Sequence, residues 1–114
     1  MANEISLPVL IEKLTDQTNN DKCHWKMASE KDSYQLELYS NKLTLSQGNT
    51  MYGITYYFRV ADYMDETIED SAFYSSQQSD EYFMLETLYK AIESYMERKK
   101  TRAFGKIFTE LDKM

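Results

Sequence analysis

At 114 residues the chain is of one-domain length, enough to bury a core without metal or disulfide support. Its net charge of -6, from nineteen acidic residues against thirteen basic ones, opposes general binding to nucleic-acid backbones or anionic lipid. A hydrophobic fraction of 42% with three glycines and one proline argues against disorder, and the single cysteine, Cys23, excludes an intramolecular disulfide and fits a reducing compartment.

No apolar run of signal-peptide type follows Met1, and nothing approaches the roughly 18 apolar residues of a membrane helix. The expectation is one soluble, cytoplasmic domain over residues 1–114 with no membrane association.

The first element expected is a helix over residues 5–15. Ser6 is a candidate N-cap, Pro8 is tolerated in the first turn, and Leu7, Leu10, Ile11 and Leu14 fall on one stripe, with Ile5 placed to staple onto Leu10. The polar run 16–21 ends it. Residues 22–28 are expected as an edge strand, with Trp25, Cys23 and Met27 toward the core.

The next segments carry period-two alternation, the mark of a strand with one buried face. Tyr34, Leu36 and Leu38 alternate with Gln35, Glu37 and Tyr39; residues 40–42 suit a hairpin loop; residues 43–46 resume the alternation, and 47–50 mark a reversal. The clearest strand is 54–61, in which Ile54, Tyr56, Phe58 and Val60 face inward and Thr55, Tyr57, Arg59 and Ala61 outward. After an acidic turn at 62–66, residues 67–74 form a last strand. There Ile68, Ala72 and Tyr74 share a face with Asp70, which calls for a bulge near Asp70 or an edge position with a wet face.

From Ser79 the period changes to that of a helix. Met84, Leu85, Leu88, Tyr89, Ile92, Tyr95 and Met96 form an apolar stripe; Ser79 or Asp80 caps its start, Asp80 and Glu81 suit its positive end, and Arg98, Lys99 and Lys100 its negative end. A second amphipathic helix is expected over 102–111, with Phe104, Ile107, Phe108 and Leu111 in i, i+3, i+4, i+7 order. Gly105 inside it costs roughly 1 kcal/mol relative to alanine, so it should depend on docking. The layout is α+β: an antiparallel four- to five-stranded β-meander with N-terminal and C-terminal helices packed on one face, in two layers.

The run Trp25, Lys26, Met27, Ala28, Ser29, set between a short N-terminal helix and a Tyr-rich meander that ends in an acidic helix start, resembles small uncharacterised bacterial and phage α+β proteins. The resemblance spans most of the chain as one of layout. It implies a bacterial or phage setting and carries no activity or site residue.

Two clusters of residues carry the side chains that chemistry would need. Cys23 and His24 are adjacent, so on a strand they point to opposite faces and form no dyad, and no second histidine or CxxC supports a metal. Asp65, Glu66, Glu69 and Asp70 crowd one turn and strand, where a small carboxylate-dependent hydrolase centred on Asp70 is one alternative. No phosphate loop, GxSxG elbow or HExxH helix is present. No catalytic residue, metal or cofactor is therefore expected.

Charge layout and tyrosines point elsewhere. Between Arg59 and Lys90 the chain has eight acids and no basic residue, whereas residues 90–106 hold six basic residues. Outward-facing Tyr39, Tyr57 and Phe73 would give the sheet an aromatic outer surface, and ten tyrosines suit such a face because each ring carries a wettable hydroxyl. The reading that follows is a non-enzymatic accessory or regulatory protein, bound to a protein partner, a basic one for preference, or to a second copy, through Tyr39, Tyr57, Asp65, Glu66 and Glu69. The alternatives are an acidic inhibitor that mimics nucleic acid and the hydrolase; direct nucleic-acid binding is not expected.

Overall fold

A computed structural model describes residues 5–114. Helix α1 (Leu7–Asn19) leads into five strands, β1 (Lys26–Met27), β2 (Ser33–Glu37), β3 (Asn41–Thr50), β4 (Gly53–Asp62) and β5 (Thr67–Tyr74), then a 3-10 turn (Ser75–Gln77) and helix α2 (Asp80–Asp112). The strands form one antiparallel sheet in sequence order, β1 to β5, and both helices lie on its inner face, as the expected α+β meander requires.

Pairing register carries the alternation of single strands across the sheet. Leu36, Leu43 and Val60 form one inward row; Tyr34, Leu45 and Phe58 form the next; Tyr56 and Phe73 share a third with Gln47. Phe58 is fully buried and Tyr57 points outward, so the period-two reading holds through the middle of β4; Ile54, expected inward, is exposed beside the Gly53 turn, and Thr55 and Ala61, expected outward, are buried within the sheet. The helices meet these rows with Ile11 and Leu14 from α1 and Leu85, Leu88, Tyr89, Ile92 and Tyr95 from α2.

Tyrosine serves the core as much as the surface. Tyr56 packs its ring against Tyr82 and Tyr89, with centroids 5.4 and 5.5 Å apart, and Tyr34 meets Tyr89 at 5.4 Å. Their hydroxyls are satisfied: Gln47 Nε2 donates to the Tyr56 oxygen at 3.1 Å, and Tyr89 donates to the Asp32 carbonyl at 3.2 Å. Burial of these rings pushes the Tyr34, Tyr56, Tyr82 and Tyr89 hydroxyls above their ordinary range.

Trp25 fills the space between α1 and the sheet with no exposure to solvent. Its indole Nε1 donates to Thr18 Oγ1 at 2.9 Å, and that hydroxyl donates to the Leu14 carbonyl at 2.6 Å. The chain leaves α1 through Asp21, whose φ of 59° lies in the left-handed region, and Asp21 accepts from Arg98 on α2 at 2.7 Å. This charge-assisted bond is the main reason the Asp21 carboxyl is held below the usual carboxylate range.

Several details depart from the sequence expectation. Ser6 occupies the N-cap of α1 without a side-chain capping bond, and the helix runs four residues past Thr15. In the 22–28 segment only Lys26 and Met27 pair as strand, and Met27 is exposed while Cys23 and Trp25 are buried. Leu38 lies past the end of β2, exposed in the turn.

β3 extends through Thr50, so the reversal falls at Met51 and Tyr52. It closes on Gly53, whose φ of 87° and approach to Ser75 Oγ leave no room for a side chain. β5 is an edge strand with a bulge at Ile68, because Glu69 pairs with Val60 and Thr67 with Ala61. Both readings offered for its broken alternation therefore apply, with the irregularity two residues before Asp70.

The largest departure is at the C-terminus. The two helices expected over 79–100 and 102–111 are one 33-residue helix, about 50 Å long, in a molecule whose longest dimension is 56 Å. Ser79 caps it, accepting from the Tyr82 amide at 3.2 Å. No proline interrupts it, and Gly105 alone is too weak a breaker to end a helix already formed on both sides.

Two consequences can be measured. Replacing Thr18 by Val leaves the buried indole N–H without a partner and should lower stability by about 1–3 kcal/mol in urea unfolding, whereas Thr18→Ser should recover most of that loss. Folded pKa values of the four core tyrosines lie above the unfolded value of about 10, so these groups are protonated in both states below that pH and have no effect there. Above it the unfolded chain releases protons that the folded chain keeps. The tyrosines should therefore leave the urea midpoint unchanged below about pH 9 and lower it past about pH 10, beyond the earlier fall from about pH 8.5 that the raised Cys23 thiol contributes, with tyrosinate absorbance of the folded protein lagging that of the unfolded chain.

Candidate functional site

The outward side of the sheet is polar row by row. Ser33, Ser46 and Tyr57 form one row, Gln35, Thr44, Arg59 and Asp70 the next, and Glu37, Lys42 and Ala61 a third. Twist makes this side concave, and a trough of about 550 Å³ runs across it. Tyr57 forms part of its wall with 38% of its surface exposed, and the ring lies so close over Gly48 that a Cβ there would stand 3.2 Å from Tyr57 Cε2.

Charge in the trough is mixed. Lys42 Nζ pairs with Asp65 Oδ1 at 3.1 Å on the rim, and Arg59 stands opposite Asp70 in the register while donating from Nε and Nη2 to Thr67 Oγ1. Asp65 and Asp70 are both exposed, so neither carboxylate is desolvated.

The structure separates the five residues singled out from the sequence. Tyr57 and Asp65 share the trough. Tyr39 is fully exposed in the β2–β3 turn, and pairing of Asn41 with Asp62 brings that turn to the same end of the sheet as the 63–66 turn, which holds Asp65 and Glu66. Glu69 faces the other way, in the inward row of Val60, beyond the cover of the helices, and accepts from Ser71 Oγ at 2.6 Å. Phe73 is also on the inward side, packed partly buried against the core, not on the outer face.

At that end of the sheet Asp62, and neither Asp65 nor Glu66, organises the turn. Its Oδ1 accepts from the backbone amides of Met64 and Glu66 at 2.8 and 3.0 Å, while Asp65 takes the left-handed conformation with φ of 63°. Leu38, Tyr39, Tyr63 and Met64 stand exposed around it.

Cys23 is buried, and burial raises its thiol; His24 Nδ1 lies 3.3 Å from the Tyr95 hydroxyl. Among the described residues no three His, Cys, Asp or Glu side chains converge as metal ligands, and no helix is long and apolar enough to cross a membrane.

The most exposed apolar surface lies on α2. From Lys99 onward every residue of the helix is exposed, over roughly 20 Å beyond the body. Along this overhang Phe104, Ile107, Phe108 and Leu111 are 60%, 52%, 67% and 60% exposed. At about 100° per residue their stripe is turned by roughly 120° from the face that carries Leu85, Leu88, Ile92 and Tyr95. It therefore cannot reach the sheet.

Lys100 Nζ sits 5.7 Å from the Phe104 ring centre, and Arg98 and Arg102 are tied to Asp21 at the root of the overhang. The spacing of the stripe was legible in the sequence; its isolation was not, because that follows from the phase between two stripes on one helix.

Replacing Asp62 by Ala should cost about 1–2 kcal/mol through loss of two turn bonds, while Asp65→Gly should leave stability unchanged or raise it by up to about 1 kcal/mol by relieving the left-handed backbone. Urea unfolding distinguishes the two positions.

No family model, curated protein or solved structure matches this chain.

Proposed function

We propose that the chain is a non-enzymatic interaction protein and that the overhang of α2 is its docking element. The observation that carries this reading is a contiguous stripe of four large apolar side chains, each more than half exposed, on a stretch of helix in which every residue from Lys99 onward is exposed. A helix exposed all round is ordinarily polar, and an apolar stripe kept in water marks a surface covered by a partner. The adjoining basic residue Lys100 gives the same element a charge that favours acidic groups beside the stripe.

A second reading places a partner in the trough. Its concavity, the Tyr57 ring and the exposed Tyr39, Tyr63 and Met64 at its end favour an extended polar segment laid across the strands. In that reading Asp65 and Glu66 would steer a basic partner by long-range attraction. Dispersal of the acids over two faces of the sheet, with Asp65 in an exposed pair with Lys42, gives less support to a nucleic-acid mimic or to a hydrolase.

Photo-crosslinking separates these readings. With benzoylphenylalanine at position 108, 57 or, as a control on exposed α1 surface, 12, cells that produce the protein should yield a discrete adduct from position 108 and none from position 12. An adduct from 57 with none from 108 would transfer the function to the trough, and the absence of adducts from both 57 and 108 would overturn the proposal.

A further inference from the structure

The side of α2 that faces the core turns cationic where it passes the edge of the body. Leu88, Ile92 and Tyr95 mark that side, and at about 100° per residue Lys99, Arg102 and Lys106 follow in the same sector, each within about 40° of Tyr95. The apolar stripe is turned away from them by roughly 160°. What covers the stripe therefore has no bearing on this side of the helix.

Here α2 meets the connection between α1 and β1, and the two enclose a pocket of about 370 Å³. Lys99, Arg102 and Lys106 line it from the helix, with Ala103 too small to fill it; Asp21 and His24 line it from the connection. Asp21 is already engaged: its Oδ1 accepts from Arg98 at 2.7 Å, and its Oδ2 lies 3.5 Å from Arg102. Lys99 and Lys106 pair with no carboxylate among the described residues. Glu110, the next acid on this side of the helix, lies a turn beyond Lys106 and does not pair with it.

Three cations thus stand within about 10 Å of helix length around one pocket whose single acid is shared with a fourth, Arg98. Mutual repulsion among them is relieved by an anion seated in their midst. His24 adds a neutral donor: with the Tyr95 hydroxyl donating to Nδ1 across 3.3 Å, the ring carries its proton on Nε2, the nitrogen left for a ligand.

We propose that this pocket binds a compact multivalent oxyanion, the phosphoryl group of a small phosphorylated molecule, through Lys99, Arg102, Lys106 and His24. Arg102 supplies a planar fork suited to two phosphate oxygens, and the lysines supply point charges on either side of it. Asp21 is a positioning residue that holds the Arg102 guanidinium at the rim. A single carboxylate would leave most of this charge unmatched. A nucleic-acid strand needs a basic track longer than about 10 Å and would meet the repulsion of a chain with net charge -6.

Isothermal titration calorimetry of the full chain with inorganic pyrophosphate should give one site with a Kd on the order of 100 µM in about 50 mM salt, weakening about 5- to 20-fold at about 300 mM. His24 is the one histidine of the chain, so its ring resonances should shift and saturate over the same titration. The Lys99→Gln, Lys106→Gln double variant should lose at least about 30-fold in affinity with an unchanged urea midpoint, since both side chains are exposed and unpaired. His24→Ala should lose about 3- to 10-fold.

Lys100→Gln removes the same charge from the stripe side of the helix and should change the affinity by less than about twofold. An equal loss from Lys100→Gln and from Lys99→Gln would reduce the effect to diffuse attraction and overturn the proposal. Absence of binding by the wild type at millimolar pyrophosphate, or binding that leaves the His24 ring signals unmoved, would do the same. Capture of a single-stranded oligonucleotide or of phosphatidic acid vesicles that pyrophosphate does not reverse would assign the cations to a polymer or a membrane surface and also overturn it. Phe108→Asp should leave pyrophosphate binding intact, which keeps this outcome separate from that of the docking role.

Discussion

A mismatch of lengths governs this molecule. The longest strands have ten residues and span about 33 Å, and five strands side by side are narrower still, whereas α2 has 33 residues and runs about 50 Å. A straight helix longer than the sheet it covers must project beyond it. Nothing in α2 permits a bend, since its one interior glycine lies well past the docked part and it has no proline. The first half of the helix is thereby committed to the core and the second half to solvent.

What holds the docked half is mainly apolar burial with few polar tethers. Leu85, Leu88 and Ile92 are fully enclosed between α1 and the inward rows of β2, β3 and β4. Tyrosines complete that layer because each ring can be buried while its hydroxyl reaches a carbonyl or amide near the margin. Trp25, tied to Thr18, joins α1 to the sheet, and Arg98, tied to Asp21, fixes the point where α2 leaves the body. Beyond that point the helix relies on its own hydrogen bonds and on whatever covers the stripe, and an isolated stretch of about fourteen residues is marginal in water.

Strand order, the inward Tyr56, Phe58 and Val60 of β4 and the edge character of β5 were legible in the sequence because alternation is a local signal and short turns leave few topologies; Ile54, at the start of the strand beside the turn, is exposed instead. Phe58 and Tyr57 sort to opposite sides as the pattern requires. Met27 and Leu38 did not follow their apolar character, because each lies where pairing has just begun or ended and no helix covers it. Phe73 was misread in the other direction: the bulge at Ile68 changes the relation between sequence parity and sheet face along β5, and a bulge is not visible in residue types alone.

The candidate surfaces were legible only in part. The stripe at 104, 107, 108 and 111 was plain, but a stripe needs a surface, and the nearest one available to sequence reasoning was the sheet. Continuity of α2 and the turn of roughly 120° between its two apolar faces remove that option, so the stripe stays exposed; under the proposed docking role a partner covers it. Hydrogen exchange followed by mass spectrometry at two concentrations of a candidate partner, a second copy of the chain included, tests this most directly. An interface on the overhang predicts that amides of residues 102–112 gain protection as concentration rises while those of 82–95 stay fully protected at both. Rapid, concentration-independent exchange over 102–112 in the presence of every candidate partner would contradict it.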